Sequence, residues 1–259
     1  MVNHYNKLQQ GGIMVNFDEL KKFAEKIERG EYEKIEPSRL AKMIDHTNLN
    51  AFATKADIEK LVKEAIEYGF FSVCVNPVNV KLAKELTKGS EVKVCSVVGF
   101  PLGQNTMELK IREAERAVED GADEIDMVIN IGKLKERDLD YVSAEIAGIK
   151  KIIGDKILKV IIETCYLEDE EKVIATKLCV DSGADFVKTS TGFGKGGATV
   201  YDVLILSNTA GERVKVKAAG GIRTYEDALK MVKAGASRIG ASRSVDIVRG
   251  TGSTSGSQY

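Results

Sequence analysis

From about residue 40 the chain repeats one unit eight times: a short apolar run, then a longer amphipathic stretch. The short runs are KMIDHT (42–47), FFSVCVN (70–76), VKVCSVVGF (92–100), ADEIDMVINI (122–131), LKVIIETC (158–165), ADFVKTST (184–191), VKVKAAGG (214–221) and SRIGAS (237–242). They read as strands, spaced at roughly 28 residues. Between them lie stretches such as KADIEKLVKEAIEYG and TMELKIREAERAVEDGA, with the spacing of surface helices. Strands joined through helices run parallel with right-handed crossovers. Eight in series is the number that closes a (β/α)8 TIM barrel, an α/β fold. An open doubly wound sheet is the alternative, but the first β–α turn carries neither GxGxxG nor a Walker loop. Three helix-to-strand turns read GADEID, GADFVK and GASRIG. A glycine that stops a helix just before a strand is expected on the face opposite the active site.

The barrel domain is expected over residues 17–249, with an additional N-terminal helix at its start. FDELKKFAEKIERG (17–30) sets Phe17, Leu20, Phe23, Ala24 and Ile27 at helical spacing before Gly30. It reads as a docking helix that closes one end of the fold. Residues 1–16 are polar, with Gly11-Gly12, and read as a flexible extension; the Ser/Gly/Thr-rich stretch 250–259 reads as a flexible tail.

Charge excludes some partners. Thirty-eight Lys and Arg against 39 Asp and Glu leave a net −1, so no polybasic face marks out nucleic acid or an anionic membrane. Two histidines, His4 and His46, cannot build a multi-histidine metal centre, and no metal or cofactor is expected. Cys74, Cys95, Cys165 and Cys179 form no CxxC pair, and three sit in apolar runs, which reads as buried reduced thiols. With no signal peptide or membrane-length apolar run, the expected location is the cytoplasm. Abundant Lys and Glu beside only four Gln resembles a thermophile composition.

In such a barrel the residues at the C-terminal strand ends line the active site. Here they are Asp45 and Thr47, Cys74 and Asn76, Phe100, Asp126 and Asn130, Glu163, Lys188 and Thr191, Lys217, Gly220 and Gly221, and Ser242. Lys188 and Lys217 stand on neighbouring strands among residues that should be buried. One strand-end lysine alone reads best as snorkelling to water. Two together bring like charges into a desolvated site, which favours a neutral amine able to attack a carbonyl. Asp126 interrupts an apolar strand; it either pairs with a barrel lysine such as Lys159 or relays protons near Lys217. Lys215 shares the face of Lys217 one layer deeper, which calls for a carboxylate partner or a local irregularity in the strand. TGFGKGGAT (191–199), AAGGIRT and IGAS are consecutive glycine-bearing strand ends. With a short helix near 243–248, they predict a phosphate site.

IDHTNL, SVCVNP, VVGFPLG, GADEIDMVINIG, LKVIIETC, FVKTSTGFGKGGAT, VKAAGGIRT and RIGAS, in this order over roughly residues 40–249, resemble the deoxyribose-phosphate aldolase family. The resemblance implies a metal-independent class I aldolase that reversibly cleaves 2-deoxy-D-ribose 5-phosphate to D-glyceraldehyde 3-phosphate and acetaldehyde in deoxyribonucleoside catabolism. It implies Lys188 as the Schiff-base lysine, Lys217 as the second lysine that depresses its pKa, and Asp126 as the proton-relay carboxylate. Thr191, Gly220, Gly221 and Ser242 match positions near the substrate or its phosphate, and Lys159 another polar position of the site. Cys74, Asp45 and Thr47 complete the expected substrate-binding set, and the terminal Tyr259 matches a tyrosine that in some members reaches the site. Arg243-Ser244 and Lys215 depart from the family pattern. The expected partners are small sugar phosphates and aldehydes, with assembly as a homo-dimer or tetramer. Another class I aldolase or transaldolase, a non-catalytic sugar-phosphate-binding barrel and a metal-dependent aldolase are the alternatives.

Overall fold

The computed structural model describes residues 15–251. Eight parallel strands close into a barrel in sequence order: β1 Ile44–Asn48, β2 Ser72–Val75, β3 Lys93–Val98, β4 Glu124–Val128, β5 Ile157–Ile161, β6 Phe186–Lys188, β7 Lys215–Ala219 and β8 Ala236–Ala241. β8 pairs with β1 to shut the ring, with Asp45 opposite Gly240. All eight apolar runs are strands, and the open-sheet alternative falls. In chain order the helices are α1 Phe17–Glu28, α2 Pro37–Ala41, α3 Lys55–Tyr68, α4 Val80–Leu86, α5 Met107–Glu119, α6 Ile131–Lys135, α7 Leu139–Ile153, α8 Asp169–Asp181, α9 Val200–Ala210, α10 Tyr225–Lys233 and α11 Ser244–Arg249.

Threonine starts several of these helices for a local reason: its hydroxyl accepts one of the amides that a first turn leaves unpaired. Thr54, Thr106, Thr199 and Thr224 each cap in this way, and Asp57 and Asp227 return the bond to Thr54 and Thr224 as capping boxes. The Gly-Ala-Asp turns do two jobs at the opposite face. Gly121 and Gly183 take positive φ, +106° and +81°, and let the chain turn straight into β4 and β6. The aspartate that follows ties the new strand to its neighbour: Asp123 accepts from Val94 N and Lys84 Nζ, and Asp185 from Leu158 N and Lys150 Nζ.

α1 buries Leu20, Ala24 and Ile27 while Phe23 stays exposed. It packs against α9 and α10, so it thickens the outer helical layer on one flank; the expectation that it closes an end of the fold is corrected. The tails 1–14 and 252–259, including Tyr259, lie outside the described residues. Among the described residues no helix is long and apolar enough to cross a membrane. All four cysteines are free thiols; three are buried, whereas Cys165 is half-buried in the turn that follows β5.

Candidate active site

A barrel interior is normally filled by apolar side chains. This one holds charge instead. Asp126 on β4 is fully buried, and its Oδ2 accepts Lys188 Nζ at 2.6 Å and Lys217 Nζ at 2.7 Å. Its Oδ1 accepts Lys159 Nζ at 2.8 Å. Strand register explains the meeting, because Lys188 lies opposite Lys217 across β6 and β7, and Asp126 lies opposite Lys159 across β4 and β5. The two readings of Asp126 are therefore compatible: it pairs with Lys159 through one oxygen and touches both strand-end lysines through the other.

A second tier stabilises the first. Lys217 also contacts Asp45 Oδ2 at 2.5 Å, and Lys159 contacts Glu124 at 2.6 Å. Arg238 on β8 joins Asp45 and Glu124 at 2.8 and 3.0 Å, while Ser72 donates to Asp45 Oδ1 at 2.7 Å. Lys159, Lys217 and Arg238 are thus each wedged between two or more carboxylates. Lys188 shares one carboxylate with Lys217 and stands nearest the mouth, at 3 % exposure. Three carboxylates, Asp45, Glu124 and Asp126, contact these four cations directly, and the buried Glu163 is a further negative neighbour of Lys188.

The electrostatics follow. Burial alone pushes the Asp126 carboxyl up, but Lys159, Lys188 and Lys217 outweigh it and hold Asp126 well below the carboxylate range. Burial likewise opposes the charge on Asp45, and Lys217, Arg238 and Lys159 overcome it, so Asp45 is also held down. Lys217 is pulled down by burial and raised further by Asp126 and Asp45; the net shift is upward, and it stays protonated. Both aspartates titrate below their unfolded values. Their stabilisation is fully present above about pH 4 and is lost as pH falls through the folded values. Thermal melts from pH 7 down to pH 2.5 are expected to show a flat Tm near neutrality and a steep fall below pH 4. A Tm that holds constant to pH 2.5 contradicts the ionised network.

The mouth above this cluster is built from loops. Glu163, after β5, adopts a left-handed backbone (φ +53°), which is costly for a residue with a side chain. Its buried carboxylate accepts Thr191 N at 3.2 Å and the Thr191 hydroxyl, so it pins the start of the 191–199 loop. The far end of that loop docks on β7, where Ala198 N donates to Gly220 O at 3.0 Å. A Cβ on Gly197 would meet Gly220 O at 2.3 Å, so only glycine lets the two backbones approach. Gly220 and Gly221 both take positive φ and Ser242 is exposed at the rim, just before α11, which begins at Ser244. Ser190, beside Gly220, keeps a buried hydroxyl with no protein partner. Phe100 and Phe193 meet edge-on across the mouth, with ring centroids 5.3 Å apart.

The remaining candidates separate. Thr47 is buried and donates to the Asp45 carbonyl, and Cys74 is buried inside the barrel opposite Thr47. Asn130 caps α6 through Lys133 N, a structural role. Lys215 is exposed at the start of β7, with its ammonium 5.8 Å from the Phe186 ring centroid; the strand irregularity lies beside it, between Val216 and Lys217. A strand irregularity is one of the two accounts of Lys215 that the sequence offers; its consequence was not foreseen. It places Arg238 opposite Lys217, facing inward, although Ser237 next to it is exposed. Glu124 was also missed, yet it stands two residues before Asp126 and so had to face the same way.

Residues 39–258 match the profile of the DeoC/LacD family aldolases. The chain is 60 % identical over 215 residues to a deoxyribose-phosphate aldolase of Thermococcus kodakarensis, covering 82 % of this chain and 96 % of the relative. It is 57 % identical over 217 residues to one of Clostridium perfringens, covering 83 % and 97 %. The tetrameric deoxyribose-phosphate aldolase of Aeropyrum pernix superposes with a TM-score of 0.78 at 35 % identity, over 91 % of this chain and 97 % of that one. A closed barrel with two lysines on one buried carboxylate agrees with the sequence match over most of its length, and the chain belongs to the DeoC/LacD family of aldolases.

Proposed function

We propose that the chain is a class I aldolase that reversibly cleaves 2-deoxy-D-ribose 5-phosphate to D-glyceraldehyde 3-phosphate and acetaldehyde, with Lys188 as the Schiff-base lysine. One observation carries this assignment of Lys188: of the buried lysines around Asp126 it stands nearest the mouth and contacts that one carboxylate alone, whereas Lys159 and Lys217 are each held by two or more. Lys217, held charged by Asp126 and Asp45, is a positive neighbour of Lys188 before substrate enters.

The neutral amine of Lys188 attacks C1 of the open-chain sugar, and loss of water gives an iminium. The iminium draws electrons from the C2–C3 bond. As that bond breaks, the C3 hydroxyl gives up its proton, glyceraldehyde 3-phosphate leaves, and a two-carbon enamine stays on Lys188. Protonation of the enamine at C2 and hydrolysis of the resulting iminium release acetaldehyde and the free lysine. Asp126 and Lys217 are the groups placed to move these protons, with water as the carrier. The backbone of the 191–197 loop, Gly220, Gly221 and Ser242 receive the phosphate, with Thr191 beside it. Asp45 and Lys159 hold Lys217 and Asp126 in place, and Thr47 and Cys74 line the wall below.

The identities and the tetrameric relative support a homo-oligomer acting in the cytoplasm on small molecules. A panel of sugar phosphates tests the substrate: the deoxyribose ester is expected to yield acetaldehyde, and a transaldolase-type donor in its place overturns the reading.

Glu163 offers a separate test. Removing its carboxylate unpins Thr191 and costs the loop about 1–3 kcal/mol of buried pairing. Glu163→Ala is therefore expected to raise KM for the phosphate ester roughly tenfold, with kcat and the KM of unphosphorylated deoxyribose changed much less. Equal losses for both sugars contradict the role.

A further inference from the structure

The proposed reaction routes no covalent step through the two thiols beside Asp126. Cys74 and Cys95 are direct register partners on β2 and β3, and both are completely buried inside the barrel. Cys95 Sγ donates to Asp126 Oδ1 at 3.1 Å and accepts from Lys159 Nζ at 3.3 Å. Both sulfurs and an Asp126 oxygen lie within 4.8 Å of one another.

Three donor atoms this close raise the question of a metal ion. The surroundings argue against one, since Lys159, Lys188 and Lys217 all reach Asp126 at 2.6–2.8 Å and a dication would sit against them. The same cations favour an anionic sulfur. In-register neighbours on adjacent strands are about 4.8 Å apart at Cα, within the roughly 4.4–6.8 Å range that a disulfide spans. On the inside of a closed barrel their side chains converge.

We propose that Cys74 and Cys95 form an oxidation site that hydrogen peroxide closes to a disulfide inside the barrel, reversibly switching the enzyme off. The Cys74 sulfur attacks one peroxide oxygen and the O–O bond breaks; the other oxygen leaves as hydroxide and takes up a proton as water. Cys74 is then a sulfenic acid. The Cys95 sulfur attacks it, the S–O bond breaks, and the oxygen departs as a second water with the Cys95 proton. Two thiols lose two electrons and one peroxide gains them, with two waters formed. Cys74 is the natural first nucleophile. The adjoining Cys95 thiol holds the titration of Cys74 below the ordinary thiol range, whereas burial pushes Cys95 up. Closure takes the Cys95 S–H away from Asp126 and draws its sulfur from Lys159, disturbing the carboxylate that both mouth lysines share.

The test treats the full-length protein with graded hydrogen peroxide, blocks free thiols with N-ethylmaleimide under denaturing conditions, and maps peptides by mass. Two of the four thiols are expected to escape blocking, in a cross-linked peptide pair containing Cys74 and Cys95. Deoxyribose-phosphate cleavage, an arm that rests on the function proposed above, is expected to fall at least tenfold and to return with dithiothreitol. Cys95→Ala, or Cys95→Ser if the alanine variant melts early, is expected to give no cross-link; at excess peroxide its Cys74 sulfenic acid is oxidised by a second peroxide to sulfinic acid, which dithiothreitol does not restore. The proposal is overturned if all four thiols stay blockable, if oxidation falls on Cys165 or Cys179 instead, or if the cross-linked protein keeps full activity. The cross-link is read by mass alone, so a failure of the substrate assignment leaves it visible and distinguishable.

Discussion

Replacing Lys188 with methionine is expected to lower kcat by at least about 10⁴-fold, because the covalent route disappears with the amine. The same substitution is expected to leave Tm unchanged or to raise it by a few degrees. Methionine nearly fills the volume of the lysine stem, and Asp126 keeps Lys159 and Lys217 as partners once the Lys188 ammonium is gone. A site that is less stable with its nucleophile than without it is the expected trade between function and stability. Steady-state kinetics and a thermal melt of one variant check both halves. Residual activity within a hundredfold of the parent contradicts the catalytic role, and a large fall in Tm shows that Asp126 depends on Lys188 for its pairing.

Asp126→Asn is expected to fail on both measures. Its carboxylate is the common partner of Lys159, Lys188 and Lys217, so a neutral amide leaves buried cations in clear excess. Removing one member of a buried ion pair costs about 3–5 kcal/mol. For a domain of this size that lowers Tm by roughly 10 °C. Loss of a group that moves protons lowers kcat by about 10²–10⁴-fold. Because Lys188 itself remains, slow Schiff-base trapping should persist in this variant, which separates it from Lys188→Met. Wild-type stability in Asp126→Asn would show that the network is not what holds these lysines inside the barrel.

The barrel was legible because its signals are local. Each strand announces itself as an apolar run, and three of the return turns by Gly-Ala-Asp or its serine variant. Lys188, Lys217 and Asp126 were legible for a related reason: a charge within an apolar strand needs a partner, and strand parity pointed all three inward. What escaped was set by pairing between strands. Arg238 meets Lys217 only because β7 and β8 slip register between Val216 and Lys217; the parity of Lys215 allowed an irregularity there, but no local pattern reports which residue of β8 it brings opposite Lys217. The left-handed backbone of Glu163 is held by Thr191, 28 residues away, so nothing beside it in the chain predicts its conformation. The docking face of α1 was visible in Leu20, Ala24 and Ile27, but its site on α9 and α10 was not, since an apolar stripe names no partner.

The central claim is that one amine of this buried cluster, Lys188, carries the carbon skeleton. Incubation with acetaldehyde and sodium borohydride, then proteolysis and peptide mass mapping, reads this directly. The expected result is irreversible inactivation, with a single ethyl group on Nζ of Lys188 in the FVKTSTGF segment. A stable label on Lys217 or any other lysine, or full activity after treatment, would contradict it.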